Sequence, residues 1–346
     1  MKKRIKACIF YTLACALLIS SCKKNTPPDD IPDISAGKGV FIVNEGNFQW
    51  SNASVSYYNF DDGSFSEDIF KQANNRPLGD VAQSMYVFNG KGYIVVNNSN
   101  KIEIVNIVDF TSAGVITGLN SPRYFLPINT SKAYVSELYS KCIHIIDLNS
   151  NTKTASIPCT GSSEEMIFAD EQVVVTNTRT NYIYLINSNN DIITDSIMVG
   201  FASNSLAKDK NGKLWVMCAG DEINSIKASL HCVNLQTKEV EKNFDLNVSL
   251  NIWDKMRMNN TKDTIYYMCN GVYKMSIDAS TLPASPFISQ GNCLFLGIAV
   301  NPNNNNIAVA DAVDYIQKGK VYYYSSNGSL LTTINSGVIP VDFYFN

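Results

Sequence analysis

Lys91-Gly92-Tyr93-Ile94-Val95-Val96-Asn97 is a phrase that this chain writes repeatedly. Its relatives are Val40-Phe41-Ile42-Val43-Asn44, Ala133-Tyr134-Val135-Ser136-Glu137, Val173-Val174-Val175-Thr176-Asn177, Leu214-Trp215-Val216-Met217-Cys218, Ile265-Tyr266-Tyr267-Met268-Cys269 and Ile307-Ala308-Val309-Ala310-Asp311. The copies end at residues 44, 97, 137, 177, 218, 269 and 311, so the unit recurs every 40 to 53 residues. In each copy β-branched and aromatic residues fill four or five positions bounded by Gly, Asn, Asp or Ser, which favours a strand over a helix. A strand-bearing unit repeating every ~40–45 residues has the period of a propeller blade.

Working outward, a second apolar segment precedes most copies across a tight polar turn, at 82–89, 124–129, 166–170, 206–208, 256–260 and 296–301. Asn and Gly supply the turn chemistry of hairpins. A third segment follows at 101–106, 142–147, 182–187, 230–234 and 320–324, and a weaker fourth ends near 157 and 197. Four antiparallel strands per unit and seven units predict an all-β, seven-bladed propeller. The first copy has no strand before it, whereas residues 338–346 read as a preceding strand with no copy after it. The C-terminal strand is therefore expected to join the N-terminal blade and close the ring, removing two sheet edges.

The first residues form a separate region. Met1-Lys2-Lys3-Arg4-Ile5-Lys6 is basic, and the apolar run 7–19 is shorter than the ~20 residues that a spanning helix needs, so residues 1–21 read as a secretory signal. Leu18-Ile19-Ser20-Ser21-Cys22 resembles a bacterial lipobox, which makes Cys22 the expected lipidation site. Residues 22–36 are polar and carry Pro27, Pro28 and Pro32, a composition suited to a tether. The folded domain is expected over 37–346. The lipobox implies attachment to a membrane, with the outer membrane and the cell surface as the expected place. Lys23 and Lys24 precede Asp29 and Asp30, a departure from the acidic residues that often follow the lipidated Cys of surface-exposed lipoproteins.

A 45% hydrophobic and 17% charged composition is that of an ordinary globular protein. The net charge of −3, with no basic stripe, argues against a nucleic-acid partner. Nine cysteines occur; setting aside Cys8, Cys15 and Cys22 leaves Cys142, Cys159, Cys218, Cys232, Cys269 and Cys293, expected mostly as free thiols. No C-x-x-C pair, histidine cluster, Gly-x-Ser-x-Gly elbow or nucleotide-binding glycine loop is present, so neither metal, cofactor nor catalytic residue is expected. His144 and His231 read as packed histidines of third strands, and Glu164-Glu165 as a solvated turn whose two carboxylates do not share one site.

Asn44-Glu45-Gly46-Asn47-Phe48, the run 76–85, Ser121-Pro122-Arg123-Tyr124, the run 210–216 and the run 272–278 are more specific than periodicity. Together they resemble the seven-bladed propeller lipoproteins of gut Bacteroidota, the YncE-like, surface-layer-protein type that includes the vitamin B12-capture lipoproteins. The resemblance implies a lipid-anchored propeller that captures a nutrient, a corrinoid foremost, and passes it to a TonB-dependent outer-membrane transporter. A glycan-binding or protein-interaction scaffold is the alternative, and a lactonase-like enzyme a third reading.

On a propeller, the loops after each second strand and those entering each inner strand gather on one face, over the channel. Expected ligand contacts there are Phe48, Trp50, Asn98, Arg123, Tyr124, Tyr139, Arg179, Trp253, Asp254 and Tyr315, with Asn97, Glu137, Asn177, Asp311 and Asp314 nearby. Aromatic rings beside amide and guanidinium groups suit a large planar ligand with amide side groups, or a sugar face. Asn97, Asn177 and Asp311 stand at strand ends, where such polar groups more often satisfy loop backbone.

Overall fold

The computed structural model describes residues 38–248 and 250–346. Among them are twenty-eight strands in seven four-stranded antiparallel sheets, with one short helix, Ile69–Asn74. The sheets are blades arranged in a ring: the inner strand of each packs beside the inner strands of its two neighbours. The expected seven-bladed, all-β propeller is therefore observed. The expected signal peptide, the lipidation site Cys22 and the tether, residues 1–36, lie outside the described residues.

The quoted phrases are the second strands. They are apolar on both sides because each blade is covered on both faces by its neighbours, so Val40 to Val43, Tyr93 to Val96 and Leu214 to Cys218 are all buried. Alternation returns only at the outer edge: Thr152–Pro158 and Ile192–Met198 are largely exposed. Between blades the side chains interdigitate, as where Tyr93 stacks on Phe125 with ring centroids 4.2 Å apart. Sequence alone had not isolated the third strands Ser54–Asn59 and Gly271–Ser276, nor the helix, whose N-cap Asp68 accepts from the Lys71 amide and whose Ile69 and Phe70 are buried.

Closure is as expected. Pro340–Phe345 is the inner strand of blade 1 and pairs with Gly39–Asn44, placing Phe41 opposite Tyr344 and Ile42 opposite Phe343. At the seam between blades 7 and 1 the backbones come so close that a Cβ on Gly297 would lie 2.3 Å from the Val341 carbonyl oxygen.

The inner strands start earlier than the apolar runs suggested: at Pro122 instead of 124, Ser163 instead of 166 and Ser203 instead of 206. Their first residues, Pro122-Arg123, Ser163-Glu164-Glu165 and Ser203-Asn204-Ser205, offer no apolar run, which hid them from a hydrophobic reading, and each strand contains an irregularity. The ladder shifts between Ala82 and Ser84, Pro122 and Phe125, Ser163 and Met166, Ser203 and Ser205, Phe295 and Gly297, and again opposite Val43 and Asn44 in blade 1. A bulge inserts an unpaired residue and re-aims its side chain. Here six blades carry one at the same place, the channel end of the inner strand.

Candidate functional site at the channel mouth

The residues that the bulges set apart are Gln83, Arg123 with Tyr124, Glu164 with Glu165, Asn204, Leu296 and Val341. In blade 6 Lys255, just before the strand Met256–Met258, takes the equivalent place and accepts at its carbonyl from the Met268 amide at 3.0 Å. One position repeated seven times thus builds a ring around the axis. A cavity of about 290 Å³ opens there, lined by residues of blades 1, 2, 3, 6 and 7. Glu45, Tyr124, Trp253 and Tyr315 form much of its wall, with Arg123, Lys255 and Arg257 supplying positive charge. Tyr124, Arg257 and Asp342 also line a second cavity of about 250 Å³ further along the channel, so they form a waist between the two.

Each of the three cations in the cavity wall is held. Arg123 donates from Nε to Glu164 Oε2 at 2.9 Å and from Nη2 to Oε1 at 2.7 Å, with Nη1 on Gln83. Burial opposes its charge, but the Glu164 carboxylate overrides this and holds the guanidinium above its ordinary range. Lys255 Nζ donates to the Asn204 carbonyl at 3.1 Å, lies 3.8 Å from Glu164 Oε1 and sits 5.2 Å from the Tyr124 ring centroid. Arg257 pairs with Glu165 at 3.1 Å, and Glu165 also accepts from the Leu206 amide. Glu164 and Glu165 are therefore not a solvated turn: they begin an inner strand, and Glu164 is completely buried. They serve different cations, consistent with opposite orientations along a strand.

Two carboxyls near the mouth are perturbed. Burial pushes Glu45 up to about 6, with Arg123 pulling the other way. Burial likewise raises Asp254 to about 6, although its carboxylate accepts from the Asn251 amide at 2.7 Å.

Of the expected contacts, Arg123, Tyr124, Trp253 and Tyr315 come together in the cavity wall. Phe48, Trp50 and Tyr139 do not line it; they stand exposed at 63%, 73% and 64% on loops of the same face. The Phe48 loop is tied to the Tyr315 loop through Asn47 Nδ2, which donates to the Tyr315 carbonyl at 2.6 Å. Arg179 is exposed outside the cavity wall. Asn98 is engaged by Asp80, to whose carboxylate and carbonyl it donates, and Asp254 does not line the cavity, its carboxylate accepting instead from the Asn251 amide. Asn97, Asn177 and Asp311 do serve loop backbone: Asn97 donates to the Pro122 carbonyl, Asn177 to that of Thr160, and Asp311 accepts from the Leu294 and Val313 amides. Sequence reasoning missed Gln83, Glu45, Lys255, Arg257 and Asp342. The signal that finds most of them is positional: Gln83, Lys255, Arg257 and Asp342 lie within or next to the first residues of an inner strand, whereas Glu45 follows the end of a second strand. The six cysteines among the described residues are free thiols, as expected.

The fold and the site define a seven-bladed propeller with a half-enclosed, cation-bearing cavity at one channel mouth. The chain belongs to the family described as a domain of unknown function, DUF5074, whose profile matches residues 38–345. No curated protein sequence matches it. Among solved structures it is similar to a quinonprotein alcohol dehydrogenase-like protein from Bacteroides thetaiotaomicron, with TM-score 0.72 and 15% identity over 91% of this chain and 79% of the other. It is also similar to a 6-phosphogluconolactonase candidate from Bacteroides fragilis, with TM-score 0.64 and 12% identity over 91% of this chain and 99% of the other. At such identities the likeness shows the fold alone.

Proposed function

We propose that this propeller is a non-catalytic binding protein that takes an amphipathic, planar ligand at the channel mouth, with a corrinoid as the first candidate. The observation that carries the reading is the mixed lining of the mouth: Trp253, Tyr315, Leu296 and Val341 offer apolar surface, while Arg123, Lys255 and Arg257 bring positive charge to the same cavity. A cavity of about 290 Å³ is too small to enclose a macrocycle, so it would take a side group. The ring itself would rest on the exposed Phe48, Trp50 and Tyr139. Against catalysis, the cations are each committed to a carboxylate or carbonyl, and neither histidine lines the cavity. The same proposal includes the anchor at Cys22, residence at the outer-membrane surface and delivery of cargo to a TonB-dependent transporter, all of which rest on the sequence resemblance.

Calorimetric titration with cyanocobalamin and cobinamide tests it. One-to-one binding weakened about tenfold by Trp253→Ala, as expected for losing one aromatic contact, supports the corrinoid reading. Absence of heat with both overturns it, and a glycan array then decides between a sugar face and a protein partner. Turnover of sugar lactones, lost on substituting Arg123, would overturn the non-catalytic reading.

A further inference from the structure

Away from the channel, blade 3 assembles a group that no motif announced. Cys142 and His144 are two apart on the third strand Cys142–Asp147, so both side chains leave the same face of the sheet. Glu137 ends the neighbouring second strand, where Ser136 pairs with Ile143, which places Glu137 beside Cys142. Ser156 of the outer strand pairs directly with His144. Four polar side chains from three adjacent strands therefore share one face.

Their atoms converge. His144 Nε2 is 3.0 Å from Glu137 Oε2, and the Cys142 sulfur is 3.8 Å from Nε2. One donor atom from each residue lies within 4.8 Å of the others. Zinc bonds of about 2.0 to 2.3 Å at tetrahedral angles put donor atoms ~3.3 to 3.6 Å apart, which these separations bracket. The surrounding contacts hold the donors in place as an outer shell would. His144 Nδ1 is 2.6 Å from Ser156 Oγ and 3.7 Å from the Cys142 sulfur, so Nε2 faces Glu137 while the sulfur lies alongside the ring and swings toward Nε2 to share a metal; Glu137 Oε1 accepts from the Asn120 amide at 2.6 Å. Glu137 is fully buried and His144 nearly so, whereas Cys142 is partly exposed and gives a route to solvent.

We propose that Glu137, Cys142 and His144 form a three-ligand site for a zinc-class divalent cation, with the fourth position taken by water or by the Ser140 hydroxyl, which already bonds Glu137. A thiolate, an imidazole and a carboxylate form a mixed donor set that suits Zn²⁺ over Mg²⁺ or Ca²⁺. Binding releases the thiol proton to solvent, shifts the imidazole proton from Nε2 to Nδ1, where Ser156 Oγ accepts it, and so replaces the histidine–glutamate hydrogen bond with two metal bonds. It would pin the Cys142 strand to the loop after Glu137, on the ligand-binding face.

The test is a Co²⁺ titration of chelator-stripped protein. One equivalent should bring up a thiolate-to-cobalt charge-transfer band that Zn²⁺ abolishes by displacement. The band should vanish in Cys142→Ser and persist in Cys293→Ser, His144→Ala should weaken affinity ~100-fold, and Ser156→Ala ~10-fold. No band in excess Co²⁺, or a band intact in Cys142→Ser, overturns the proposal. Should Cys142→Ser not fold, alkylation of Cys142 in the unsubstituted protein decides: slowing by Zn²⁺ supports the site, and an unchanged rate overturns it.

Discussion

Two arcs of the channel mouth share one backbone design and differ in everything else. Blades 3 to 6 place Arg123, Glu164, Asn204 and Lys255 at the ring position; blades 7 and 1 place Leu296 and Val341 there, with Gln83 of blade 2 between. The apolar arc packs into a small cluster of its own, Leu296 and Val341 with Ala312 and Ile339. The polar arc is held by mutual neutralisation, with Glu164 completely buried between two cations. The comparison teaches that the bulged strand start is a socket indifferent to its occupant. The propeller fixes where seven side chains point, and their identity sets what the mouth can bind.

The largest effect should come from removing the seam that supports the apolar arc. Deleting residues 338–346 takes away the inner strand of blade 1, including Val341 and Asp342, and exposes two edges. Loss of the cooperative thermal transition is expected by circular dichroism; an unchanged midpoint would mean that the ring closes without that strand. Next, Glu164→Gln leaves Arg123 and Lys255 without their shared buried partner and should cost about 3–5 kcal/mol in denaturant melts. Leu296→Ala on the opposite arc should cost about 2–3 kcal/mol, the ordinary result of a truncated core leucine. Equal costs would erase the distinction between the arcs.

The smallest effect is a pH dependence at the boundary between them. Glu45 is raised to about 6 by burial, so in the folded state it holds its proton where the unfolded chain has lost it. The stability it contributes is present below about pH 4.5 and disappears as pH rises through about 6. Glu45→Gln should therefore match the parent protein near pH 4 and exceed it by about 1–2 kcal/mol above pH 7. A constant difference across that range would show that Glu45 is not the titrating group.

Much of this was legible in the residues. Second strands stood out because they are buried on both faces and so read as unbroken apolar runs, such as Val173-Val174-Val175. Arg123, Tyr124, Trp253 and Tyr315 line one cavity, and sequence placed them together because loop position alone puts them on one face of the propeller. Glu164 was misread because a buried carboxylate looks like a surface one until its counter-charge is known, and Arg123 is 41 residues away. Glu137, Cys142 and His144 carry no recognised spacing, and only the pairing of adjacent strands brings their donors within reach.

The sequence by itself determined the number of blades, their strand order and the way the ring closes, because those follow from local periodicity and from counting which end lacks a strand. Tertiary structure alone decided which polar residues face the channel, which charges neutralise each other and which donors converge in blade 3. Such facts depend on bulges and on contacts between blades, where a shift of one residue in register turns a side chain from the solvent to the axis.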